Sequence, residues 1–130
     1  MKKLNQLKTF EDACKVEGLN PEVVIGAFQG LSGSDRDPII AFAKLLIIVR
    51  VANRLCNNGA SWTPDWSNYK EYKYYPWFEM RGSSGFRFHD YDGWHSRSHV
   101  GSRLCFISRE AAEYIGQQFQ DLYKQFMVIE

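Results

Sequence analysis

Two neighbouring stretches hold most of the side chains that could do chemistry. YKYYPWFEM (72–80) places three tyrosines, Trp77 and Phe78 within nine residues. WHSRSHVGSRLCFISR (94–109) holds Arg97, Arg103 and Arg109 with His95 and His99, and no acidic residue. Arg81 and Arg87 join from between them. Aromatic faces stack on bases and other flat rings, and guanidinium forks match phosphate and carboxylate bidentately. The combination points to a planar anionic ligand of the nucleotide kind. Its binding residues would be Tyr74, Trp77, Arg87, Phe88, Trp94, Arg97 and Arg103, with Trp66 as a lid. The plainer reading is that the rings fill a core, since each buries a large area, and that the arginines pair with Asp90, Asp92 or Glu79. Strand geometry tells against a pure core. Tyr72 and Tyr74 cannot share a face with Lys73 and Tyr75, so some rings must face away from any helices, and grouped exposed rings mark a contact surface.

HDYDGWHSRSH (89–99) gathers three histidines and two aspartates. These are metal-ligand types, but the spacing of His89, Asp90, Asp92, His95 and His99 matches no metal motif, so no metal site is expected. A nuclease-like acid–base pair would need His95 or His99 to meet Glu79 and Arg103. GxSxG, P-loop, GxGxxG and HExxH are all absent, so no cofactor is expected either. The residue types favour a binding protein over an enzyme.

The chain has 130 residues, which fits a single domain, 1–130, with enough length for a real core. Sixteen basic residues against fifteen acidic leave a net charge of +1. That excludes a whole-protein electrostatic footprint for duplex DNA or an anionic membrane. Single-stranded nucleic acid remains an alternative partner, because the same rings would serve as stacking platforms. A structural or host-protein-binding module, including a homo-oligomer, is another. Cys14, Cys56 and Cys105 are odd in number, far apart and set among apolar neighbours, as expected of reduced thiols in a cytoplasmic protein. MKKLNQLKTF has no apolar core of a signal peptide. PIIAFAKLLIIVRVANRLC carries three cations and reads as a buried helix, not a membrane span.

These residues must be positioned by an α+β arrangement. Thr9 and Asp12 form a capping box for a helix over Phe10 to Glu17, with Gly18 as its stop. Asn20-Pro21 reads as the cap and first residue of a short second helix. GLSGSDRD reads as a loop. Asp37-Pro38 then opens a long, nearly all-apolar helix over Ile39 to Cys56, closed by Asn57-Asn58-Gly59. EYKYYPWFEMR and FRFHDY form a hairpin turning at GSSG (82–85), with Pro76 marking a bulge or an edge. Phe86 and Phe88 face one way, Arg87 and His89 the other. RLCFI (103–107) reads as a third strand. Ser108 caps a single amphipathic C-terminal helix with Ala112, Ile115, Phe119, Leu122, Tyr123 and Phe126 on its apolar stripe. The expected fold is α+β: N-terminal helices including one long buried helix, a three-stranded antiparallel meander, and a C-terminal helix.

KTFEDACKVEGL (8–19), the W-x-PDW segment Trp62 to Trp66, YYPWF (74–78) and VGSRLCFISREAAEYIGQQFQDLYKQF (100–126) occur in this order. In that order they resemble a group of small proteins encoded by phages and prophages of gut anaerobes. The resemblance covers most of the chain apart from 30–37 and 81–100. It implies a viral accessory protein made in the bacterial cytoplasm. Such a protein would bind a host factor, a nucleotide signal, a nucleic acid or the virion, with a role against host defence signalling. It carries over no catalytic residue.

Overall fold

The computed structural model describes residues 3–80 and 85–129. Arg81 and most of the expected GSSG turn lie outside them, as does the Trp94 side chain. A 3-10 turn (Leu4–Gln6) precedes α1 (Phe10–Glu17), α2 (Pro21–Gly26) and α3 (Gly33–Leu55). Then come β1 (Lys73–Glu79), β2 (Arg87–Trp94), α4 (Arg109–Gln118) and α5 (Gln120–Met127). Among the described residues no helix is long and apolar enough to cross a membrane.

The helix ends follow local chemistry. Thr9 Oγ1 accepts from the Asp12 N–H at 3.1 Å, and Asp12 accepts from the Thr9 N–H at 3.0 Å, closing the capping box of α1. Gly18 ends α1 at φ +69°, a conformation costly for any residue with a Cβ. Asn20 accepts from Glu22 N–H with Pro21 as first residue of α2. The long helix begins at Gly33, earlier than the Asp37-Pro38 signal suggests. Ser32 is its cap position, and the Ser32 carbonyl accepts from Arg36 N–H at 2.6 Å. Pro38 therefore sits one and a half turns inside, where its missing N–H removes one bond that would go to Ser34.

α3 is the axis of the core. Leu45, Ile48, Val49, Val51 and Ala52 on it are buried, with Leu7, Phe10 and Cys14 on one side and Phe106, Ala112, Ile115 and Phe119 on the other. Glu17 of α1 ties to α3 through Arg50 and, at 3.3 Å, Arg54. From α4 the Tyr114 hydroxyl donates to the Leu7 carbonyl at 3.0 Å, and Gln118 donates to that of Lys8 at 3.0 Å, which fixes the N-terminal segment.

Two corrections concern the sheet and the C-terminus. The sheet has two strands, and RLCFI is reduced to one bridge, in which Tyr74 and Phe106 exchange both backbone hydrogen bonds at 3.1 and 2.7 Å. Residues two apart on a strand point their backbone groups to the same edge. The next donor that a third strand would need is therefore on residue 76, and Pro76 has none. In the other direction residue 108 is already the cap of α4. The far edge of 105–107 is closed by Asn53 of α3, buried at 4 % exposure. Its amide donates to the Cys105 carbonyl at 3.0 Å and accepts from the Ile107 N–H at 2.9 Å. One side chain thus stands in for a neighbouring strand.

The single C-terminal helix is two, breaking at Phe119 (φ −112°, ψ 29°). At the break, Gln120 Oε1 turns back and accepts from the Phe88 N–H of β2 at 2.7 Å. α4 lies close on the sheet through Gly116: a Cβ there would stand 2.6 Å from Pro76 Cβ and 2.8 Å from the Phe88 ring. Gly116→Ala gains about 1 kcal/mol of helix propensity. Overpacking against a proline ring that cannot rotate away costs about 1–3 kcal/mol. A lower urea midpoint with an unchanged slope is expected; a rise in midpoint would show that the helix can lift off freely.

Candidate contact surface

The pairing register puts Lys73 opposite Trp94, Trp77 opposite Asp90 and Phe78 opposite Phe88, with a bulge between Trp77 and Phe78. His89 is the extra residue. Phe88 packs on Phe78, and Tyr91, three residues on, packs on Tyr74. Both point inward, so His89 and Asp90 between them both belong to the outer face. Strict alternation holds from Phe86 to His89 and is broken there by the bulge, which re-aims a side chain. The re-aimed ring is used: His89 stands edge-on to Trp77 with ring centres 4.6 Å apart. Glu79 holds His89 Nδ1 at 3.3 Å and Arg87 at 3.2 Å. Trp77 itself is 54 % exposed.

Toward the Lys73 end, the outer face of β1 is covered. Tyr75 is only 6 % exposed. Its hydroxyl donates to Asp92 at 3.3 Å, and the His99 ring lies edge-on with centres 6.3 Å apart. Lys73 is the largest fully buried side chain among the described residues. Its ammonium donates to the carbonyls of Asn68 at 2.8 Å and His95 at 2.6 Å, lies 3.4 Å from Glu71, and sits 5.2 Å from the centre of the Trp66 ring. Glu71 also accepts from Asp65 N–H, and Trp66 Nε1 donates to Ser102. One buried cation therefore gathers 65–72 and 95–102 over the end of the sheet. An isolated buried charge is costly; here two carbonyls, a carboxylate and a ring face replace its water.

The residues expected to form one ligand site fall in three places. Tyr74 and Phe88 face inward, packed against the core cluster. Tyr74 belongs to a row of rings from His95 through Tyr72 and Tyr74 to Tyr91, ended by Arg109 at 5.7 Å from the Tyr91 centre. Trp77 and Arg87 lie on the outer face. Trp66 and Arg97 lie in the covering segments and Arg103 directly after the second; Trp66 is half-buried, and both arginines are exposed without a carboxylate partner among the described residues. Trp94 ends β2 opposite Lys73. Neither the groove between 33–39 and 121–129 nor the small cavity behind Pro76 and Phe78 is lined by any of these eight side chains.

Of the acid–base pairings expected for Glu79, the one with His95 is not formed. Glu79 serves His89 and Arg87, six residues along β1 from the His95 end, or ~20 Å. Among the described residues no three His, Cys, Asp or Glu side chains converge as metal ligands. The cysteines are free thiols; burial pushes that of Cys105 up to about 11, which keeps it protonated and inert at neutral pH.

Sequence reasoning missed Asn53, Lys73 and the pairing of His89 with Trp77. Only the third left a signal, the proline beside a ring-rich strand. Comparison with known protein families, with curated proteins and with solved structures found no match.

Proposed function

We propose that the chain is a non-enzymatic binding protein, an accessory protein of phage origin acting in the bacterial cytoplasm. Its partner is a host protein, met by the outer face of the sheet. The observation that carries this reading is Trp77. Tyr75 on the same face of β1 is covered, whereas this ring stands half in water, backed by His89 and rimmed by Glu79, Arg87 and Asp90. A large ring held in place and surrounded by polar groups is the usual form of a hot spot, filling an apolar pocket on the partner while the rim excludes water. The face is a strand surface and not a cleft, and cofactor and nucleotide sites are concave.

Retention of bacterial proteins on the immobilised chain tests it. A partner retained by the wild type and by Lys15→Ala, on the helical side, is expected to be lost at least about tenfold with Trp77→Ala. Equal retention by Trp77→Ala would remove the reading.

A second reading keeps the planar anionic ligand, with a role in countering host defence signals. It is favoured by Arg97 and Arg103, whose guanidiniums are exposed and unneutralised among the described residues. Calorimetric titration with cyclic and linear nucleotides should then give heat that Arg97→Ala and Arg103→Ala abolish. A steep fall of affinity with salt would identify single-stranded nucleic acid as the ligand class instead.

A further inference from the structure

β2 has an outer edge that no strand occupies among the described residues. Its donors can be placed from the pairing. Tyr74 of β1 exchanges both of its backbone bonds with Phe106. The residue across from it on β2, Gly93, therefore turns its N–H and carbonyl away from β1. Tyr91, two residues back, turns its own the same way. Beyond the bulge Phe88 does so too, since its N–H reaches Gln120. An open row of strand donors is a template for another chain.

These donors are taken. Asp90 Oδ1 accepts from the Tyr91 N–H at 2.8 Å, and Asp92 Oδ1 accepts from the Gly93 N–H at 2.8 Å. Bonds of this local kind compete with a strand ladder. Both aspartates are exposed, so water could serve the same N–H groups. A carboxylate serves them and also puts charge on the edge, which repels the carbonyls of an arriving strand.

We propose that Asp90 and Asp92 keep β2 shut as a pairing edge, and that the chain they exclude is a second copy of this one. The strand itself defines the two-fold arrangement. Tyr91 of one copy would pair with Gly93 of the other, and Gly93 with Tyr91, each pair exchanging both backbone bonds. Both residues are already held for it: the Tyr91 ring packs on Tyr74, and the Tyr72 ring fills the inner side of Gly93. In that register Asp92 stands directly opposite Asp92 of the second copy, where like charges repel. The carboxylate that occupies the Gly93 donor thus also penalises the pairing that would use it. This concerns the edge of the sheet and not the face at Trp77, and it is tested on the isolated chain.

Asp90→Ala/Asp92→Ala removes both caps and both charges. Asp90→Asn/Asp92→Asn keeps an oxygen for each N–H and removes only the charges. Light scattering over a concentration series reads association, and hydrogen exchange reads the Tyr91 and Gly93 amides. The alanine pair is expected to self-associate at least about tenfold more tightly than the wild type, a fraction of what new backbone hydrogen bonds can supply. Its two amides should exchange more slowly as concentration rises. The asparagine pair should stay near the wild type. Asp92 also accepts from the Tyr75 hydroxyl, so Tyr75→Phe, which loses that bond and keeps both caps, should not associate either. Asp90→Thr/Asp92→Thr, whose side chains suit a strand and end one bond short of the caps, repeats the alanine result if that pair folds poorly. A folded alanine or threonine pair that associates no more than the wild type would overturn the proposal, and so would equal association of the asparagine and alanine pairs.

Discussion

Asn53→Ala is expected to destabilise the fold by about 3 kcal/mol or more. The substitution removes little volume. Its cost comes from the buried Cys105 carbonyl and the half-buried Ile107 N–H, which lose the amide at 3.0 and 2.9 Å. Each stranded buried group costs about 1–3 kcal/mol. Asn53→Leu should do no better, because filling the space leaves both groups unpaired. Asn53→Asp keeps the acceptor for Ile107, but sets a charged oxygen against the Cys105 carbonyl. Burial and that carbonyl both favour the neutral acid, so the folded-state pKa of the new carboxyl lies above its unfolded value. Between the two values the folded state holds the extra proton, so stability falls as pH rises through that window. Asn53→Asp is therefore expected to recover stability toward acidic pH relative to the wild type, and Asn53→Ala is not. Chemical denaturation across pH checks both. A loss under about 1 kcal/mol for Asn53→Ala would mean that 104–107 holds without its clamp.

Lys73→Met is the second large effect. Methionine preserves the length and apolar stem but strands the carbonyls of Asn68 and His95 and leaves Glu71 without its cation. Removing one partner from a buried charge cluster costs about 3–5 kcal/mol. Here Glu71 keeps partial access to water, which places the expected loss near the lower figure. The damage should be local. Hydrogen exchange is expected to quicken in 65–72 and 95–102, while α3 keeps its protection relative to global stability. Tyr75 and Trp66 should become more accessible, because the segments that cover them are tied down through this ammonium. A variant with wild-type stability and unchanged exchange in both segments would show that Lys73 is enclosed by them without holding them.

The parts of the fold legible in the sequence are those decided within a few residues. The capping box of Thr9 and Asp12, the left-handed Gly18 and the Asn20-Pro21 start are short-range chemistry, and each stands where its residues put it. The long helix was legible as a helix, but its first residue was not. Gly33 and Ser34 look like a loop, and the Asp37-Pro38 signal that resembled a cap lies inside the helix.

The third strand failed for reasons that no local pattern displays. Pro76 withholds a donor from 28 residues away in sequence, and Asn53 supplies an amide from more than 50. The C-terminal apolar stripe passes smoothly through Phe119, so periodicity could not show that the backbone breaks there to send Gln120 to Phe88.

The candidate site was legible in part for the same reason. Alternation correctly separates Tyr72 and Tyr74 from Tyr75, but the expected ligand site joined Tyr74 to Trp77, which lie on opposite faces of β1. Nothing in alternation tells that Tyr75 is covered by 95–102 while Trp77 is left out. The scatter of the arginines also follows from tertiary neighbours: Glu79 claims Arg87, and the acids of α4 and the Tyr91 ring claim Arg109.

The central claim is that the outer face at Trp77 is a surface for contact with another protein. The most direct measurement places a photo-crosslinking amino acid at position 77, and in a separate variant at position 15 on α1, inside the bacterial cell. One discrete adduct from position 77, absent from position 15 and suppressed by excess unlabelled wild-type chain, is the predicted result. No adduct from position 77, or the same pattern from both positions, would contradict it.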